Sequence, residues 1–352
     1  LLSFRIPNVR LMNNILIKHF IVGLIIFSNF SFGKEFSELF TIYEPIENST
    51  KIDKSINSSF NNMVYRLSGT NSPSNVWKII NSGASRKEFI ISYAIKNIED
   101  LSYLQVKFDQ DLLISKFNDL AIPMIGYSRP VIFFLIEIDS GTENPYYLSS
   151  NQSEKFIDII LQNALNQVSK SRGLFLELPV FDLVDKKNIA NISILSDIEG
   201  LIASKYKYDV LKKIKLINNG LNEWSFTGDI NQNIAGSNFQ IELQKKFIAY
   251  IESLADQSLS ELKIDTSEET YLYLSIFGVT SYDDYIRSRD ELNRFIAVSD
   301  IEIISFKNKI ITYKVNVKGS VEALKNEVEA NNFLDNMSNN KNEKNLNLLY
   351  QK

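Results

Sequence analysis

Arg129-Pro-Val-Ile-Phe-Phe-Leu-Ile-Glu-Ile138 is almost unbroken in its apolar character. Apolar–polar alternation marks a strand with one wet face, so a continuous run predicts a strand buried on both faces. Gly141-Thr-Glu-Asn-Pro145 follows as a turn. Ser153 to Val168 then sets Phe156, Ile159, Ile160, Ala164, Leu165 and Val168 on one side of a helix. Leu174 to Phe181 is a second apolar stretch, which completes a strand–helix–strand unit whose strands should run parallel.

On the N-terminal side, residues 34–58 are polar and include Glu44-Pro45, which predicts an irregular or edge segment. Ser55 to Leu67 has helical spacing at Ile56, Phe60, Met63, Val64 and Leu67, with Gly69 placed to end it. A short helix at Val76 to Ile80, strands at Phe89 to Ile95 and Tyr103 to Phe108, and a helix capped by Asp109 follow. On the C-terminal side come a helix at Asp197 to Tyr206 and a hairpin, Val210 to Ile217 with Trp224 to Ile230, turning at Asn218-Asn-Gly220. A long amphipathic helix spans Phe239 to Leu259. The last stretch reads strand (Tyr271 to Phe277), helix (Tyr282 to Phe295), strands (Ile301 to Ser305, Ile310 to Val317) and a helix capped by Ser320.

These segments predict an α+β chain of three small α/β subdomains, 34–126, 127–265 and 266–330, the last a ferredoxin-like βαββα unit. Residues 331–352 are rich in Asn and Lys and are expected to form a disordered tail.

Met12 to Gly33 has the order of a cleavable export signal. Lys18 and His19 precede the eight apolar residues Phe20 to Phe27, and Ser31 and Gly33 are small residues at a cleavage site. Spanning a bilayer takes about twenty apolar residues, so the run is short for an anchor. Cleavage after Gly33 removes the only His of a chain that has no Cys. The 319 residues left from 352 carry 35 basic and 42 acidic side chains, a net charge of −7. The expected compartment is the periplasm. With no basic stripe, nucleic acid is an unsuitable partner.

Loss of His and Cys takes away a Ser-His-Asp triad, a thiol nucleophile and conventional zinc sites. Ser260-x-x-Lys263 keeps the spacing of a Ser–Lys dyad, but lacks its companion motifs and lies at a polar helix end. Asp229-x-Asn231-x-Asn233 opens like a calcium loop, yet Ile234 replaces the required Gly and Gln240 the closing Glu. No phosphate-binding Gly-rich loop is present, and neither cofactor nor metal is expected. The candidate catalytic pair is Asp182 and Asp185, just beyond an apolar strand, where open α/β sheets place ligands. Their structural role would be to cap a following helix. Asp283 and Asp284 have that same alternative in the first turn of theirs. Trp77 and Trp224 are read as packing residues.

Five stretches taken together resemble the exported Gram-negative family known as domain of unknown function 2066. They are Arg66-Leu-Ser-Gly69, Leu104-Gln-Val-Lys-Phe-Asp109, Ile122-Pro-Met-Ile-Gly-Tyr-Ser-Arg-Pro130, Arg172-Gly-Leu-Phe-Leu-Glu-Leu-Pro-Val-Phe-Asp182 and Gly278-Val-Thr-Ser-Tyr-Asp-Asp-Tyr285. The chain departs from that pattern at Tyr206-Lys-Tyr-Asp209 and at the Lys-rich strand from Lys212 to Lys215. The resemblance carries no established activity, so it assigns no catalytic residues. By analogy of fold alone, the strand–helix–strand unit is similar to the N-terminal domain of the assembly factor TolB. The function expected is a non-catalytic binding or envelope-assembly factor whose partner is another envelope protein. The alternatives are a carboxylate-dependent enzyme acting on glycans or another envelope substrate, and a membrane-tethered scaffold if the leader is retained.

Overall fold

In the computed structural model, residues 33–46, 52–98, 101–151, 155–182, 184–185, 198–220, 223–235, 238–337 and 344–351 are described. The chain divides into Leu1–Ser31, which holds most of the expected leader and lies outside the described residues, and Phe32–Lys352, to which everything below belongs. The described residues mix eight α-helices with several sheets, an α+β fold. No described helix is long and apolar enough to cross a membrane.

The chain enters through β1 (Lys34–Glu35) and β2 (Thr41–Pro45), then helices α1 (Ile52–Ser68) and α2 (Ser74–Asn81). Strands β3 (Ile90–Ile98) and β4 (Leu101–Phe108) and helix α3 (Gln110–Asp119) follow, with Asp109 capping α3 by accepting from the Leu112 amide. An antiparallel sheet has the order β2-β4-β3, with α1 packed on β2 and β4 through the apolar stripe read from its sequence.

The second sheet is built on the opening stretch. After β5 (Ser128–Arg129), which pairs with β1, come β6 (Val131–Asp139), β7 (Tyr146–Tyr147), α4 (Phe156–Arg172) and β8 (Phe175–Glu177). Helix α5 (Ile198–Lys205), strands β9 (Val210–Gly220), β10 (Glu223–Gly228) and β11 (Gln232–Ala235) and helix α6 (Phe239–Ser260) complete it. β6 is central and parallel to both β8 and β9. Ile132, Phe134, Ile136 and Ile138 pack in one core with residues of α4 and α6, while Phe133 and Leu135 meet Phe181, Ile198 and Ile202 on the opposite face. Both faces are covered, as an uninterrupted apolar strand requires.

The last sheet comprises β12 (Glu269–Phe277), β13 (Val298–Lys307), β14 (Ile310–Lys318), β15 (Leu334–Asn336) and β16 (Asn345–Tyr350), in the order β13-β14-β12-β16-β15. Helix α7 (Tyr282–Arg294) lies between β12 and β13, and α8 (Val321–Ala330), capped by Ser320, follows β14.

Four expectations are corrected. Among its described residues the expected disordered tail forms strands β15 and β16: β16 lies parallel to β12 within the sheet, with Leu346, Leu348 and Tyr350 buried. Their period-two spacing is a strand signal within an Asn-rich background. The segment 174–181 is a strand for only three residues, because Pro179 has no N–H to continue the ladder. Phe156 and Ile159 face solvent, and Leu161 takes the inward position beside Ile160. Trp77 is 57% exposed, so only Trp224 is a packing residue. The first and last sheets also share a single core, running from Leu39 through Phe117 to Leu272 and Tyr350.

Candidate functional site

The strand ends come first, because Asp182 and Asp185 were expected there. Beyond Pro179 the chain is held by Ser149, whose hydroxyl donates to the Pro179 carbonyl at 2.9 Å, and by the Ser150 amide, which donates to the same oxygen. Asp182 Oδ1 accepts from the amides of Val184 and Asp185, both at 2.8 Å. Asp185 returns the contact by accepting from the Asp182 amide at 3.1 Å. Lys205, from the end of α5, pairs with Asp185 and lies 3.7 Å from Asp182.

The structure therefore brings the two carboxylates together, in a reciprocal cap clamped by one lysine. The Asp185 amide holds the exposed Asp182 carboxyl below its usual range. A general acid at neutral pH needs the opposite shift. The hydrogen bond to Asp185 likewise raises the Lys205 ammonium, which keeps it charged. What this arrangement does chemically is fix the loop that leaves β8.

The other motifs have structural partners as well. Asp229 accepts from the Lys213 amide at 2.6 Å. Ser281 and Asp284 form a capping box at the start of α7. Ser260 donates to the Gln257 carbonyl at the end of α6. Among the described residues no group of three or more His, Cys, Asp or Glu side chains is placed to hold a metal.

Three of the stretches singled out by sequence converge elsewhere. Arg66, Arg129 and Arg172 are among the largest fully buried side chains of the protein. Arg66 leaves the last turn of α1 and donates to the carbonyls of Glu38, Leu39 and Thr41, and also to Lys170 and Ser171 at the end of α4. Arg129 donates to the carbonyls of Gly126 at 2.9 Å, Arg66 at 3.1 Å and Ile125 at 3.2 Å. Arg172 pairs with Glu252 and Asp256 of α6. Two of these guanidiniums thus sit at helix C-termini, where the macrodipole offers partial negative charge and carbonyls lack helical partners. Desolvation lowers both Arg66 and Arg129 to about 9.

Gly173, with φ of 64°, ends α4 in the left-handed conformation, and a Cβ there would be 2.9 Å from Arg66. On the far side of Arg129 lies Glu327 of α8, fully buried. Its carboxylate accepts from the amides of Tyr127 at 3.2 Å, Ile296 at 3.2 Å and Ala297 at 2.9 Å. Burial pushes its pKa up to about 7 against these three donors and the Arg129 charge. Sequence reasoning missed Glu327, although a carboxylate between Leu324 and Val328 on an apolar helix face is a visible signal.

Two sheet edges carry exposed apolar side chains. On β13 these are Ile303, Ile304 and Phe306, and on β3 they are Ile91, Tyr93 and Ile95. Comparison of the chain with protein-family models, with curated proteins and with solved structures gives no match.

Proposed function

We propose that this chain is an exported, non-catalytic binding protein of the bacterial envelope, acting in assembly beside another envelope protein, a reading motivated by its export signal, the absence of His and Cys beyond Gly33 and its several α/β units. The observation that carries the reading is the edge strand β13, ten residues long, with Ile303, Ile304 and Phe306 exposed. An open edge offers a row of backbone donors and acceptors, and apolar side chains beside it supply affinity by strand addition. Asp182 and Asp185 cap the loop after β8 and pair with Lys205, which supports this reading over that of a carboxylate-dependent enzyme.

A photo-crosslinking amino acid at Phe306 should yield a discrete covalent adduct with one envelope protein in cells. The same probe at the exposed Ile241 of α6 should not. No adduct from Phe306, together with an intact envelope in a strain from which the gene is deleted, would overturn the reading.

A further inference from the structure

β3 is the outermost strand of its sheet, and among the described residues nothing pairs with its outer side. Residues 91–97 are exposed on both faces. Tyr93 and Ile95 stand opposite Val106 and Leu104 of β4, so they belong to the face that elsewhere covers the core. There the core face continues into solvent: Ile91, Tyr93 and Ile95 are 67%, 55% and 51% exposed. A groove of about 330 Å³ beside them is lined by Ile56, Lys87, Ile90 and Tyr93. A long unpaired edge whose core-side face stays apolar in solvent offers a site for a partner strand.

The strand names that partner through its own sequence. Ile91-Ser92-Tyr93-Ala94-Ile95 reads nearly the same in both directions about Tyr93: apolar, small, aromatic, small, apolar. A two-fold interface must be self-complementary, each residue meeting its symmetry mate's counterpart. Antiparallel pairing centred on Tyr93 sets Ile91 against Ile95 of the second copy, Tyr93 against Tyr93, and Ser92 against Ala94. Cross-strand aromatic and β-branched pairs are the stabilising ones, and like charges facing each other are the destabilising ones. In this register Lys96 falls beside the bulge that breaks the register of β3 between Ile90 and Ser92, where the second copy carries no charge, so no like charges meet within the strands.

We propose that two copies of this chain join through β3, making one continuous six-stranded sheet across a two-fold axis at Tyr93. The proposal is independent of whatever binds β13.

The absence of Cys from the described residues, and from the whole sequence, makes the test direct. Across an antiparallel pair, facing Cα atoms are about 4.5–5.5 Å apart, within the range of about 4.4–6.8 Å that a disulfide bridges. Sedimentation of the purified protein at high micromolar concentration should give twice the 40.4 kDa chain mass, less any leader removed. Tyr93→Lys, which puts like charges on the axis, should return it to the single-chain mass with unchanged circular dichroism. Tyr93→Cys should oxidise to a covalent dimer that reductant releases, while Tyr282→Cys, at a more exposed site on α7, should not. A single-chain mass for the wild type, or oxidised Tyr93→Cys remaining uncoupled, would overturn the proposal. So would a dimer that persists in Tyr93→Lys.

Discussion

Arg129 Nη1 donates to the backbone carbonyl of Arg66 at 3.1 Å, so one buried guanidinium is held by the residue that carries another. Arg66 in turn reaches the end of α4, and the loop before Arg129 receives Glu327 from α8. The chain of contacts ties the first, second and third sheets at one point. Charge is tolerated there because nearly every donor finds a carbonyl and helix C-termini supply partial negative charge.

Removing one member should therefore cost more than its own contacts. Arg129→Ala would leave the carbonyls of Gly126, Ile125 and Arg66 unpaired in a dry interior. The expected loss is about 3–5 kcal/mol, as for breaking other buried charge networks. Urea unfolding at neutral pH measures it. Arg129→Lys should recover only part of the loss, because an ammonium cannot present the planar fork that reaches all three.

Glu327 gives the joint a pH dependence whose sign is fixed. With a folded pKa near 7, above that of the unfolded chain, the native state holds the proton more tightly. Stability is then full below the ordinary carboxylate range and is lost as pH rises to about 7, by at most roughly 3 kcal/mol. Glu327→Gln cannot titrate, so its unfolding free energy should lack this decline. Wild type and variant compared from about pH 5 to pH 8 should differ in slope. Parallel curves would show that Glu327 is ionised throughout. Gly126→Ala should destabilise and alter this pH dependence, because a Cβ there meets the Glu327 carboxylate and must displace it.

The C-terminal strand provides a direct contrast. Leu348→Ala should cost about 2–5 kcal/mol, the range for truncating a fully buried leucine. A residue in a disordered tail would cost nothing. Thermal unfolding distinguishes the two, and the exposed Met337 serves as a control position.

The Asp182 cap predicts a local effect. Asp182→Ala should speed hydrogen exchange at the amides of Val184 and Asp185 while leaving the global unfolding midpoint nearly in place. Asp182→Asn should protect both amides, because asparagine caps equally well. If the pair is catalytic, replacing both residues by Asn should abolish an envelope activity without altering exchange elsewhere.

Much of the architecture was legible in local patterns. The run at 131–138 argued for a strand covered on both faces, and the stripes from Ile56 to Leu67 and from Phe239 to Leu259 for helices with one dry face. Asp109, Ser281 and Ser320 announce their helices because a cap is a contact over three residues. The site was less legible. Arg66, Arg129 and Arg172 stood in the stretches that drew notice, but their meeting joins residues 63 and 43 positions apart in sequence, which no periodicity encodes.

By itself, the sequence determined the type of most elements, the buried stripes of α1 and α6 and the lack of His and Cys chemistry beyond Gly33. Each of these depends on residue identity or on spacing within one or two turns. Only the tertiary structure decided that the first and last sheets share a core, that 345–350 completes a sheet, and that Asp182 is a cap. It also decided that the core face at β3 runs on into solvent. Burial of a charge, or exposure of an isoleucine, depends on what the rest of the chain brings beside it.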